Sequence, residues 1–127
     1  MAIVTLATGA TVNAISLSAA VTGNGDSTNT ADRGTAAIGN PAALVITSAI
    51  GATPTVTLNI QGSVDGTNWY NVAYSLVATP ATVAVAALTI TTAVTVTYLL
   101  TVDQVWRYLK TVRTANTNLT LTETIYA

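Results

Sequence analysis

Between Thr55 and Ile60 the chain alternates without a break: Val56, Leu58 and Ile60 are apolar, and Thr55, Thr57 and Asn59 are polar. Successive side chains of a strand point to opposite faces, so this run predicts a strand with one apolar and one polar face. From Val105 to Ala115 a second run sets Trp106, Tyr108, Lys110 and Val112 against Val105, Arg107, Leu109, Thr111 and Arg113. A third, at the C-terminus, sets Leu119, Leu121, Glu123 and Ile125 against Thr120, Thr122, Thr124 and Tyr126. Ala43 to Ile50 is almost continuously apolar, as expected of a strand covered on both faces. Leu88–Thr92 and Val94–Thr101 add two Thr-marked strands. Gly51–Pro54, Asp103-Gln104 and Asn116–Asn118 read as turns between them.

The chain is organised around Gln61-Gly62-Ser63-Val64-Asp65-Gly66-Thr67-Asn68-Trp69-Tyr70. Asp65-Gly66 closes a hairpin between Thr55–Ser63 and Asn68–Ser75. Gly66 is expected at positive φ, which tight hairpin turns require and glycine accepts. Trp69, at the start of the return strand, is expected to be a buried aromatic anchor.

The first forty residues differ. Ile3–Thr8 and Val12–Ser18 are weakly amphipathic strand candidates, and Thr22–Asn40 is rich in Gly, Asn, Asp, Ser and Thr, with a short strand candidate at Thr35–Ile38. The expected division is an N-terminal arm and long loop, residues 1–40, followed by a β-sandwich, residues 41–127. Ile3, Val4, Leu6, Ile15 and Leu17 are the arm's candidate interface residues. No charge lies between Met1 and Gly25, so docking the arm strips no ion of its water. Val77–Ala87 is Ala- and Val-rich without a strong period; Val77–Leu88 has the residues for a short helix, but Pro80 and the valines argue against one. Strands every 8–12 residues predict an all-β antiparallel sandwich or jelly roll.

Composition sharpens this picture. Charged residues are 7% of the 127, against roughly 25% in ordinary soluble domains. Net charge is -1, so little repulsion separates copies of the chain, and few lysines guard the strand edges. Self-assembly is the economical expectation, with Arg107 and Arg113 as interface-rim charges. The chain has no His and no Cys, which removes Ser-His and Cys-His nucleophilic systems, disulfides and thiolate metal sites. No acidic pair, phosphate loop or basic patch stands out, so the chain is expected to be no enzyme and to take no cofactor, small-molecule substrate or nucleic acid. Asp26, Asp32 and Asn24 share one loop but match no calcium-loop spacing. The N-terminus lacks a signal peptide's basic start, and no apolar run approaches a membrane span.

The hairpin stretch, followed by a Thr-rich connection and Trp106-Arg107-Tyr108-Leu109-Lys110, resembles small virion proteins of tailed bacteriophages that decorate or cement the capsid. Leu44-Val45-Ile46-Thr47 and Gly51–Leu58 fit the same pattern, so the resemblance runs from about Leu44 to the C-terminus. It implies a homo-oligomer, a trimer first and a dimer second, that binds major capsid protein on the capsid surface after synthesis in the host cytoplasm. A neck, tail or fibre-base component is the nearest alternative. The Gly-Ser-x-Asp-Gly-x-x-Trp hairpin is also similar to discoidin-type sandwiches that bind sugars or lipids, although Lys110 stands where their pattern has Arg. That likeness implies a carbohydrate-binding module using Trp69, Tyr70 and Tyr74.

Overall fold

The alternating runs become two long strands. In the computed structural model, which describes residues 2–5, 14–34, 42–100 and 106–126, β1 (Ala2–Thr5), β2 (Ala14–Val21), β3 (Gly25–Asp26) and β4 (Asn29–Asp32) precede the 22-residue β5 (Ala42–Ser63). Then come β6 (Tyr70–Asn71), β7 (Tyr74–Leu76), β8 (Thr79–Ala84), β9 (Leu88–Ile90), β10 (Thr95–Leu100) and the 19-residue β11 (Tyr108–Tyr126). No α-helix occurs among the described residues, and the chain is an all-β sandwich.

β5 and β11 pair antiparallel along nearly their whole length, from Tyr108↔Ser63 to Tyr126↔Ala43. Gly51–Pro54 and Asn116–Asn118, expected as turns, lie inside these strands. The register shifts between Thr114 and Thr117 and again between Thr117 and Leu119, so the two irregular stretches fall opposite one another. Both strands bend together there, and neither reverses. Left-handed backbone at Thr53 (φ 48°), Ala115 (φ 50°) and Asn118 (φ 50°) makes the bend. Side chains hold it: Asn118 Nδ2 donates to Ala52 O at 2.6 Å, and Asn116 Nδ2 donates to Leu119 O at 3.0 Å. The strands come close at this crossing: a Cβ on Gly51 would stand 3.2 Å from Cβ of Asn118, a tight contact.

The bend divides the ribbon into two limbs. Residues 55–63 with 108–114 carry β3 and β4 on one side and β6 and β9 on the other. Residues 42–50 with 119–126 carry β2 on one side and β10, then β7 and β8, on the other. The apolar faces of both limbs meet in one core: Val56, Leu58 and Ile60 from the first, Leu44, Ile46, Leu121 and Ile125 from the second. Each such side chain contributes roughly 1.5–3 kcal/mol by leaving water.

The arm expectation gives way over residues 14–34. Ile15 and Leu17 are fully buried in this same core, and β2, β3 and β4 all pair with β11. Packing of two large side chains, flanked by small ones, made a strand where amphipathicity alone is weak. These two residues are therefore not available as an interface between copies. β1 pairs parallel with β4, and Ile3 on it is 62% exposed. Leu6, the side chain of Val4, the strand candidate Thr35–Ile38 and the turn Asp103-Gln104 lie outside the described residues.

Candidate functional site

The hairpin loop forms where the sequence places it, tied by side chains. Ser63, the last residue of β5, donates from Oγ to Asp65 Oδ1 at 2.9 Å and accepts from the Gly66 N–H at 2.9 Å. Asp65 Oδ1 also accepts the backbone N–H groups of Thr67 (2.8 Å) and Asn68 (2.9 Å), and Asp65 Oδ2 accepts from Asn68 Nδ2 at 2.8 Å. Donation from the Asn68 and Thr67 backbone, with help from the Asn68 and Ser63 side chains, holds the Asp65 carboxyl far below the usual carboxylate range. Both its oxygens are occupied, so it anchors the loop and is not poised for acid–base work. Gly66 has φ +79°, and a Cβ there would lie 3.4 Å from the Tyr108 ring.

Trp69 is half-buried and not the core anchor its size predicts. The hairpin ends at the rim of the sandwich, so the ring rests on a cation: Lys110 Nζ lies 4.4 Å from its centroid. Lys110 also reaches Asp26 Oδ2 at 3.1 Å. Arg107 grips Asp32 with two bonds, Nε to Oδ1 at 2.8 Å and Nη2 to Oδ2 at 3.2 Å, which holds the Asp32 carboxyl low. The guanidinium lies 5.1 Å from the Tyr108 centroid. Arg33 donates from Nη1 to Trp106 O at 3.0 Å, and Tyr70 sits 6.0 Å from Trp106, tilted 31°. Gly62 makes room for Trp106, since a Cβ at 62 would fall 2.6 Å from the indole. The loop acids weighed for calcium therefore face cations of β11 and its approach, and Asn24 Oδ1 accepts the Asn116 N–H at 2.8 Å. No group of three potential metal-ligating side chains occurs among the described residues.

Arg113 is not a rim charge. It is buried, donating to Gly23 O at 3.1 Å and Asp26 O at 3.3 Å, with Nη1 3.9 Å from Glu123 Oε1. Glu123 is fully buried and accepts from the Thr111 hydroxyl. Burial pushes its carboxyl up, while Thr111 and Arg113 pull it back. Thr111 and Arg113 come from one limb of the ribbon and Glu123 from the other, so this polar group ties the two limbs across the core. An open cleft of about 370 Å³ lies beside the bend, lined by Gly23, Ile50, Gly51, Asn116 and Asn118 among others. Both amides already bond within the chain.

The opposite end carries no charge. Residues 66–102 contain no Asp, Glu, Lys or Arg. Within them β7 and β8 form a hairpin at the last position of the sheet order, and among the described residues β8 pairs only with β7. From Leu76 to Ala87 every residue is exposed except Ala84, which is half-buried. Val77 is 56%, Val83 46% and Val85 51% exposed. The lack of charge and the missing period over Val77–Ala87 were the sequence signals for this surface. The chain matches no protein-family model, no characterised protein and no solved structure.

Proposed function

We propose that this chain is a non-enzymatic structural protein of a tailed-bacteriophage virion, which decorates or cements the capsid in multiple copies by bridging major capsid protein subunits. One observation carries the reading beyond the resemblance. Charge is segregated: acids and bases pair with one another around β3, β4 and β11, and the β7–β8 end presents aliphatic side chains with no ion among them. Such a surface docks without stripping ions of water. Many copies, each making a modest apolar contact with several shell subunits, add their contacts through multivalency. A protein that binds the assembled shell better than free subunits stabilises the shell by mass action. Purified particles from cells infected with the phage that encodes the chain are expected to contain it at a copy number that is a simple fraction of the major capsid protein's. Its absence from particles, with free chain in the lysate, would rule the proposal out.

A carbohydrate-binding module is the second reading, and one observation favours it. Tyr70 is 57% exposed and backed by Trp106. Of the other two aromatics, Lys110 lies close to Trp69, and Tyr74 is buried with its hydroxyl donating to Ala86 O at 2.6 Å. Under this reading neutral oligosaccharides quench the intrinsic fluorescence of the wild type and not of Tyr70→Ala.

A further inference from the structure

We propose that Asn24 is a site of self-modification: its side chain closes onto the Gly25 backbone and converts to aspartate and isoaspartate, which loosens the 22–26 loop from the bend of the sandwich. This stands apart from the virion reading and needs no partner.

The chemistry needs an asparagine followed by a residue without a side chain. The Gly25 nitrogen attacks Asn24 Cγ. The new N–Cγ bond replaces the Cγ–Nδ2 bond, and Nδ2 leaves as ammonia with the proton given up by the Gly25 nitrogen. Water then opens the five-membered imide. Breaking the new N–Cγ bond gives aspartate; breaking the original peptide bond leaves the chain running through Cγ, an isoaspartate with an extra main-chain atom. Water is the only other reactant. A Cβ on the following residue obstructs the attack, and of the chain's nine asparagines Asn24 alone precedes glycine.

The fold leaves this pair open. Asn24 and Gly25 are both exposed. Gly23 (φ +82°) and Gly25 (φ +119°) flank the asparagine, and a Cβ on either would meet nothing within 4 Å, so the turn has room to swing Cγ toward the nitrogen. Asn24 Oδ1 accepts the Asn116 N–H at 2.8 Å. The attack turns that oxygen into an oxyanion, so a donor already stands where negative charge develops. Among the described residues nothing accepts from Asn24 Nδ2, the leaving group. Gly25 is in register with Arg113, but it begins a strand of two residues, and fraying of that end frees its nitrogen.

Asp65-Gly66 is the contrast. It closes the same ring only by losing water from a protonated carboxyl. The Asp65 carboxyl is held ionised with both oxygens bonded, and the Gly66 N–H is bonded to Ser63 Oγ. One pair is shielded and the other is not.

The change reaches the bend. Gly23 O accepts from Arg113 Nε and Asn116 Nδ2, both at 3.1 Å, and Asn24 holds the Asn116 N–H. An extra main-chain atom at residue 24 moves the Gly23 carbonyl and the residue-24 side chain relative to each other, so these bonds no longer fit together.

Ageing the full chain near neutral pH, followed by peptide mapping with mass spectrometry, tests this. The peptide carrying Asn24 is expected to gain about one dalton and to split into aspartate and isoaspartate forms, the latter a substrate for isoaspartyl methyltransferase. One new carboxylate takes the net charge from -1 to -2, which anion exchange resolves. The rate is expected to lie within about tenfold of that in a synthetic peptide of residues 21–27, because little local opening is needed. Aged wild type is expected to unfold at lower denaturant than fresh protein. Asn24→Gln, whose side chain is too long for the five-membered ring, is expected to show neither change. An intact Asn24 in folded protein while the peptide converts, conversion as fast at the other asparagines or at Asp65, or a converted protein with the fresh midpoint overturns the proposal.

Discussion

The rim around β3, β4 and the 63–68 loop and the rim made by β7 and β8 belong to one sandwich but are held in different ways. At the first, almost every polar side chain has a partner in the same chain: Asp65 with its loop, Arg107 with Asp32, Lys110 with Asp26 and Trp69. At the second, β7 is anchored through β10 and buried Tyr74, but the run of Val, Ala and Thr from Leu76 to Ala87 stands in water with no ion beside it in the sequence. The first rim is pinned by these pairings and fixes the fold. The second leaves apolar surface unused, and unused apolar surface on a compact protein is where association begins. The β2 strand belongs with the first kind of region, because it is built into the core.

The sharpest test of that division is Leu17→Ala. Leu17 is fully buried, so truncation is expected to cost about 2–5 kcal/mol, a large part of a small domain's total of roughly 5–15 kcal/mol. Ile3→Ala, on exposed β1, is expected to stay within about ±0.5 kcal/mol. Removing the first twenty residues is expected to unfold the chain, and removing the first five to leave it folded. Denaturant melts followed by tryptophan fluorescence report both. A folded, cooperative truncation at residue 20 would restore the idea of a dispensable arm.

Much of this fold was legible in the sequence because its strongest strands alternate cleanly: Val56-Leu58-Ile60 and Leu119-Leu121-Ile125 are buried as patterned. The continuity of β5 and β11 was not. Gly51-Ala52-Thr53-Pro54 and Asn116-Thr117-Asn118 are turn chemistry, and local residues cannot tell a turn from a bend whose partner bends with it. β2 was legible as the strand candidate Val12–Ser18, but its place in the core was not, because Ile15 and Leu17 alternate with Ala14, Ser16 and Ser18, small residues that blur amphipathicity; Ser18 is itself buried and accepts the Thr28 N–H at 3.2 Å. Glu123 did leave a signal. It falls on the apolar side of the last alternating run, and a carboxylate there needs buried partners, which Thr111 and Arg113 provide. In the loop, Gly66 is at positive φ as patterned, but the depth of Trp69 depended on where the hairpin meets the sandwich, which no local pattern states.

Gly66→Val comes next in size. At φ +79° a side chain costs roughly 1–2 kcal/mol, and valine is worse than most because its Cβ is branched. The Tyr108 ring stands at ordinary contact distance from such a Cβ, so the cost is in the backbone. A lowered denaturation midpoint with unchanged m-value is expected. An unchanged midpoint would mean the loop is free to take another shape, and the first rim would lose its pinned character.

Acid separates the two rims further. Asp32 and Asp65 both have lowered folded values, so the folded chain holds their protons less tightly than the unfolded chain. Their contribution is complete above the unfolded value of about 3.9 and is lost as pH falls through the folded values. Glu123 has the opposite sign. Its raised folded value favours the folded state below about pH 4.3, and that contribution is lost as pH rises through the folded value. Midpoints measured from pH 2 to pH 8 are expected to fall on the acid side, and Asp65→Asn is expected to flatten that fall. Self-association through residues 66–102, which contain no acidic or basic side chain, is expected to be unchanged by pH wherever the chain stays folded. Association that tracks pH would move the contact toward the charged rim.

The smallest expected effect is on the folding of the free chain when the hairpin is made polar. Val83→Thr keeps the β-branch, and with it the strand preference, and swaps a methyl for a hydroxyl on a side chain already in water. Its backbone partner Ser75 is unaffected, since the pairing runs through the main chain. The change in folding stability is therefore expected within about ±0.5 kcal/mol, when measured at a concentration low enough for the monomer to dominate. Raising the concentration should split wild type from variant. Wild type gains apparent stability as copies associate, because binding only the folded form shifts the equilibrium toward it, and the variant gains less. Equal melting curves at every concentration would show that the exposed valines do no more than any surface residue, and the contrast between the two rims would then lie in charge alone.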